Sequence, residues 1–171
     1  MKLESRKFWN DVLADVIANT LSAILMAILA IVVIDSFYST PQLGGMWEFE
    51  IEVKDSSFSQ YKDMKLKYQV ILLQKELQFS GYGDKFAEKT SSGEYVELSG
   101  NDRSPIEITG YIEKNLLGPN QVLISINEKG SIRESATFHE LTVSSDKRLE
   151  GDFKSTIANS KGIVTWVKKH D

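Results

Sequence analysis

The chain has no cysteine, three prolines and two histidines, His139 and His170. Without cysteine there are no disulfides, thiolate nucleophiles or thiolate zinc sites, which suits a reducing compartment better than a small secreted domain. With His170 in the tail, a metal site would have to be mainly carboxylate, and no spacing of Asp and Glu suggests one. Neither a Gly-x-Ser-x-Gly elbow nor a Walker-type phosphate loop is present, and Gly81-Tyr82-Gly83-Asp84-Lys85 lacks the strand-to-helix setting that such a loop needs. Enzyme is therefore the least favoured class. The net charge is −4, and no basic block interrupts the region after Leu43, which argues against tracking a long nucleic acid. A small anionic ligand held by a few local groups stays compatible with that balance.

Charge is also missing from Val16 to Ile34, a run of 19 residues bracketed by Asp15 and Asp35. A hydrocarbon core about 30 Å thick needs ~20 apolar residues at a rise of roughly 1.5 Å each. Phe8 and Trp9 precede the run and Phe37 and Tyr38 follow it, where interfacial aromatics belong. The pattern predicts one transmembrane helix within residues 1–38. A cleaved signal peptide is the competing reading, but no small-x-small cleavage site follows. Asn19, Ala23, Ala27 and Ala30 fall on one helical face, and such a stripe lets membrane helices approach closely while a buried amide bonds across the contact. Self-association through this face is expected; the plainer reading is that alanine is common in membrane helices.

Residues 39–45 read as a short linker, because Pro41 ends the helix and Gly44-Gly45 admits a turn. The region 46–171 is one domain's worth of chain. Its opening is the clearest: Trp47, Phe49, Ile51 and Val53 alternate with Glu48, Glu50, Glu52 and Lys54, the period of a sheet with one wet face. Further strands are expected at Lys65 to Gln74, Glu76 to Tyr82, Glu94 to Ser99, Pro105 to Ile112, Gln121 to Asn127, Ile132 to Val143, Leu149 to Ser155 and Ile163 to Lys168, mostly with hairpin-length connections. With no helical period between them, this predicts an all-β domain, an eight-stranded antiparallel up-and-down barrel. Gly81, Gly83, Gly110, Gly151 and Gly162 would each weaken a flat strand but serve the sharp bends of a small barrel. Such a barrel has room for its own side chains or for one small ligand.

Leu66, Tyr68, Val70, Leu72 and Gln74 share the expected lumenal face of the second strand. Tyr68 offers a stacking plane and Gln74 an amide for a base edge, or both simply pack. Farther on, Arg133, Ser135, Thr137 and His139 share a face opposite Ile132, Glu134, Ala136 and Phe138, and the period alone leaves open which set points inward. Arg133 and Thr137 are ligand candidates if the polar set does. Lys154 and Arg103 are electrostatic candidates against a default of solvated surface. Trp166 and Tyr82 read as core or interface.

Leu43-x-Gly45-x-Trp47 at the first strand resembles the start of lipocalin-like and avidin-like barrels, in which the Trp plugs one end. Together with the anchor, the early strand ending in Gln74, Leu149-Glu150-Gly151-Asp152-Phe153 and Gly162-Ile163-Val164, the chain resembles the transmembrane β-barrel effectors of bacterial antiphage signalling, the smallest CBASS effectors and their relatives. It has room for one span where the better known members carry two. The resemblance implies a barrel that binds a cyclic di- or trinucleotide made by a partner nucleotidyltransferase, a homo-oligomer, and disruption of the inner membrane that kills the infected cell. It implies no further cofactor, and it leaves open whether the ligand activates or restrains.

Against a cytoplasmic barrel stand Lys2, Arg6 and Lys7 before the span, with no Lys or Arg after it until Lys54. The positive-inside rule reads this as export of the barrel. The resemblance, which requires a barrel reached by a cytosolic messenger, is given the greater weight. The alternative is an exported, lipocalin-like envelope module that binds an apolar ligand or serves as a structural or interaction surface.

Overall fold

The computed structural model describes residues 2–37, 40–115, 118–130 and 134–169, with helix side chains from 12 to 34. It falls into two compact units, Met1–Ser39 and Thr40–Asp171.

The first unit is a helix, α1, Lys2–Phe37. Within it Val12–Ile34, 23 residues, is long and apolar enough to cross a membrane; at 1.5 Å per residue that is roughly 35 Å, the hydrocarbon thickness plus a margin. Val16, Ile17, Leu21, Leu25, Met26 and Val32 are all exposed, so the apolar surface runs round the helix rather than along a stripe. A helix of that kind is stable only in lipid or inside a core. The Thr20 hydroxyl donates to the Val16 carbonyl at 2.7 Å, which satisfies it within the helix, as hydrocarbon requires. Asn19, Ala23, Ala27 and Ala30 are exposed, and the Asn19 carboxamide has no hydrogen-bond partner among the described residues.

The second unit holds β1 (Gly45–Asp55), β2 (Lys65–Lys75), β3 (Gln78–Lys89), β4 (Tyr95–Glu97), β5 (Ser104–Glu113), β6 (Gln121–Lys129), β7 (Glu134–Ser145), β8 (Arg148–Ser155) and β9 (Lys161–Lys168). Their order is β2-β1-β9-β8-β7-β6-β5-β3, and β2 pairs again with β3. The ring is therefore closed, with eight strands running up and down. The three-residue β4 is an extra ribbon on β3. Alternation supplies the inner wall, since a strand residue and its second neighbour share a face: Trp47, Phe49, Ile51 and Val53 from β1 meet Tyr68, Val70 and Leu72 from β2, Ile106 and Ile108 from β5 and Val122, Ile124 and Ile126 from β6 in one buried core. Gly83 and Gly110 mark close approaches. A Cβ at Gly83 would strike the Gln69 carbonyl and the Val70 backbone, and one at Gly110 the Phe79 ring and the Leu123 carbonyl, so the tight coiling of the wall depends on their bare backbone.

One end of the barrel receives the chain from the linker. Trp47 and Leu43 are fully buried there, and the Trp47 indole N–H donates to the Leu43 carbonyl at 2.7 Å. The Gln74 side chain accepts the Leu43 N–H at 2.5 Å and donates to the carbonyls of Pro41 at 2.9 Å and Glu76 at 2.8 Å. This is the plug expected of the Trp. It also corrects the role foreseen for Gln74, whose amide is engaged in fixing the linker residues and is not free to read a base. The opposite end, where β1–β2, β3–β5, β6–β7 and β8–β9 connect, carries single 3-10 turns at Ser59–Tyr61, Gly100–Asp102 and Ile157–Asn159.

The third strand runs well beyond its expected end at Tyr82, because a register shift at Lys67/Tyr68 lets β3 follow β2 to Lys89. The strand expected from Glu94 to Ser99 shrinks to β4.

Removing the plug should be costly. Trp47→Ala is expected to lower the unfolding free energy by about 3–5 kcal/mol and Gln74→Ala by about 1–2 kcal/mol, measured by urea titration of the full chain in detergent. A loss below about 1 kcal/mol for Trp47→Ala would show that this end is not packed as described.

Candidate functional site

Three rings from adjacent strands form a column on the inner wall. Phe49 of β1 stacks on Tyr68 of β2 at 4.5 Å and 8°, and on Trp166 of β9 at 4.2 Å and 16°. Register places them side by side, since Phe49 pairs with Tyr68 and with Trp166. His139 of β7 meets Phe49 edge to face at 5.4 Å. The middle of the barrel is thus filled by its own aromatics, and Tyr68 has one face already covered by Phe49.

The face of β7 that the sequence left open is settled by this packing. Ser135 and His139 are buried and Thr137 half-buried, whereas Glu134, Phe138 and Glu140 are exposed. The polar set points inward because His139 has a partner there: the Trp166 indole N–H donates to its Nδ1 at 3.2 Å. Accepting at Nδ1 leaves the proton on Nε2, a buried N–H with no partner among the described residues. Burial pulls the imidazole pKa down to about 3, so the ring is neutral and acts as a fixed donor. Thr137 donates to the Ser155 hydroxyl at 3.0 Å.

Above the aromatics, toward the loop-bearing end, a few polar groups are set among the buried Ile51, Val53, Ile106 and Ile126. The Tyr68 hydroxyl crosses the lumen from β2 to donate to Glu128 of β6 at 3.0 Å. Burial, followed by the Glu128 charge, pushes the Tyr68 pKa well up, so the phenol stays protonated. Lys85 of β3 lies 3.2 Å from Glu88 and 3.8 Å from Glu128, with side-chain exposures of 17%, 25% and 14%. Charged groups this enclosed are uncommon unless paired. One ammonium between two carboxylates leaves the set acidic, so it suits a ligand presenting N–H donors rather than a phosphate.

The other expected site residues lie elsewhere. Lys154 points outward and is exposed, because it neighbours the inward Phe153 and strand side chains alternate; it is corrected to a surface residue. Arg103 is half-exposed and bonds the Asp84 carboxylate at 3.2 Å and the Leu98 carbonyl at 3.1 Å. Arg133 and His170 lie outside the described residues. Trp166 is fully buried core, while Tyr82 is exposed on the outer wall. Glu128 was legible as the next step of the series Val122, Ile124, Ile126. Lys85 was not, because the register shift beside it breaks the count. Among the described residues no group of His, Asp and Glu could hold a metal ion.

No protein-family profile and no curated protein sequence matches the chain. Among solved structures it is similar to a redesigned β-barrel at 15% identity and a TM-score of 0.47, covering 75% of this chain and 92% of that one. It is also similar to the redesigned barrel mFAP1 bound to DFHBI, at 11% identity and a TM-score of 0.44, covering 74% and 94%.

The buried histidine has a pH signature. Its unfolded pKa is near 6.5 and its folded value about 3, so between those values the unfolded state binds the extra proton and stability falls as pH drops. Unfolding free energies measured from pH 7 to 4 should decline by several kcal/mol, and His139→Gln, which still accepts from Trp166, should remove most of that slope. An unchanged slope would mean that carboxylates alone cause it.

Proposed function

We propose that the chain is a membrane-anchored receptor and effector of bacterial antiphage defence. Its barrel binds a cyclic di- or trinucleotide made by a partner nucleotidyltransferase, and the bound state controls assembly and inner-membrane integrity. The observation that carries the reading is one chain joining a helix of membrane-spanning length to a closed barrel whose interior holds the Phe49–Tyr68–Trp166 stack and, on its loop-bearing side, the Tyr68–Glu128–Lys85 group. The sequence resemblance supplies the class of ligand.

The geometry constrains how such a ligand binds. The aromatic column fills the middle of the barrel, so in this reading the ligand is met at the loop-bearing end, near Tyr68, Glu128 and Lys85, with its phosphates at the rim. Glu128 there accepts the N–H edge of a base and repels a phosphate. Lys62, before β2, and Lys89, ending β3, supply positive charge at the same end. The barrel works in this reading as a binding module and not as an enzyme.

Titration calorimetry of the full chain in lipid nanodiscs against a panel of cyclic di- and trinucleotides should give micromolar or tighter binding for at least one. Silence across the panel would overturn the receptor reading. Enlarging the small-residue face of the anchor, by Ala23→Leu with Ala27→Leu, should abolish toxicity in cells and leave that titration unchanged. Undiminished toxicity would exclude that face as the assembly surface.

A second reading rests on the cations Lys2, Arg6 and Lys7 ahead of the span: an exported barrel acting as an envelope module. Reporters fused after Asp171 that work in only one compartment decide between the two. Activity only outside the inner membrane would exclude a cytosolic ligand.

A further inference from the structure

The end of the barrel that receives the linker is also the end held nearest the anchor. Pro41, Gln42 and Leu43 are fastened to the barrel through their backbone: Gln74 holds the Pro41 carbonyl and the Leu43 N–H, and the Lys168 ammonium donates to the Gln42 carbonyl at 2.9 Å. The free tether is therefore shorter than the expected linker. From Phe37, the last residue of α1, to Pro41 there are only four peptide steps, at most about 14 Å of extended chain. With Val12–Ile34 in hydrocarbon, Pro41 stays within roughly 20 Å of the hydrocarbon boundary whichever way the tether turns. What projects at this end is basic. The β2–β3, β5–β6 and β7–β8 connections and the end of β9 meet there, and they bring Lys75, Lys114, Lys147, Arg148, Lys168 and Lys169 together with three anions, Glu76, Glu113 and Asp146. The connections at the opposite end carry cations and anions in nearly equal number. Arg148 and Lys169 pair with Glu150 and Glu48 along the wall, whereas Lys168 bonds a neutral carbonyl and Lys75 has no ion-pair partner among the described residues. Beside Lys75, at the tip of its hairpin, Leu77 is 38% exposed.

We infer that this rim is a lipid-docking surface, whose cations rest on anionic headgroups while Leu77 dips among them. A single lysine at a hairpin tip is ordinarily just solvated. Here the connections come from around the whole ring and end at one rim, so their charges face a common plane, which suits a sheet of headgroups and not one small anion. The plug of Trp47 and Leu43 closes the lumen at this end, which leaves a surface and no entrance. Attraction between lysines and an anionic leaflet acts within a Debye length, about 8 Å at physiological salt. The short tether supplies that proximity at no cost in free diffusion, as any intramolecular contact does. The inference rests on α1 lying in the bilayer and not on the nucleotide reading.

The chain lacks cysteine, so single fluorescent labels can be placed without background. One goes on Leu77→Cys and a control on Phe58→Cys, in the β1–β2 connection at the opposite end and 58% exposed. In nanodiscs carrying the full chain, no nucleotide and a headgroup nitroxide, the Leu77→Cys label should be quenched about three-fold more with about 30% phosphatidylglycerol than with phosphatidylcholine alone. Salt at about 0.5 M should abolish the difference. The Phe58→Cys label should show none. Lys75→Glu with Lys147→Glu should return the Leu77→Cys quenching to its neutral-lipid value. Lys154→Glu with Lys161→Glu, the same charge change away from this rim, should leave it as it was, which excludes net charge and misfolding as the cause. Quenching indifferent to lipid charge would mean that the tether alone brings the rim close, and overturns the docking. Equal lipid dependence at Phe58→Cys overturns the choice of end. Cross-linking of Leu77→Cys into a dimer by a short bis-maleimide, without quenching, would give the rim to a second copy and overturns it too. Failure here leaves the nucleotide titration untouched, and failure of that titration leaves this contact untouched.

Discussion

The antiparallel pairing of β1 with β9, from Trp47 opposite Lys168 to Asp55 opposite Lys161, is the contact on which the rest depends. It joins the two ends of an eight-strand meander and removes both sheet edges, the row of unpaired N–H and C=O groups through which open sheets aggregate. Closure also makes one face of every strand an interior of fixed volume. Phe49 comes to lie between Tyr68 and Trp166 because β1 lies between β2 and β9. The aromatic column is thus a consequence of the ring, and the Tyr68–Glu128–Lys85 group lies on its loop-bearing side.

The charged groups at the loop-bearing end carry a desolvation cost that the plugged end does not. Lys85, Glu88 and Glu128 are held out of bulk water by mutual attraction and by the Tyr68 hydroxyl, and pairs of this kind contribute less to stability than well-packed apolar residues would. His139 adds a buried N–H without an acceptor, a group that costs about 1–3 kcal/mol when left unmade. At the plugged end, by contrast, the polar atoms of Trp47 and Gln74 are satisfied.

The two apolar surfaces left uncovered differ in kind. On α1 the exposure runs all round, which only hydrocarbon matches. On the barrel the exposed apolar side chains, among them Met46, Ile71, Leu73, Tyr82, Tyr111, Phe138, Ile163 and Val167, are spread over several strands. Within the helix, Asn19 is a carboxamide without a partner among the described residues in a segment that suits lipid, and it gains most from a neighbouring helix.

The strand order and the apolar half of the interior were legible before any coordinates. A period of two, as in Trp47 to Lys54, states directly which side chains share a face, and a charge-free run of sufficient length states that the helix suits lipid. What the period does not carry is the choice between faces when both are mixed, as on β7, or the position of a bulge, as at Lys67/Tyr68. Those were decided by contacts between residues distant in the chain: Trp166 donating to His139, Tyr68 reaching Glu128, and Gln74 holding Leu43. Alternation is a property of neighbours along one strand and so is written in the sequence. Which polar atoms find partners depends on the curvature that brings separate strands together, and that exists only once the ring is closed.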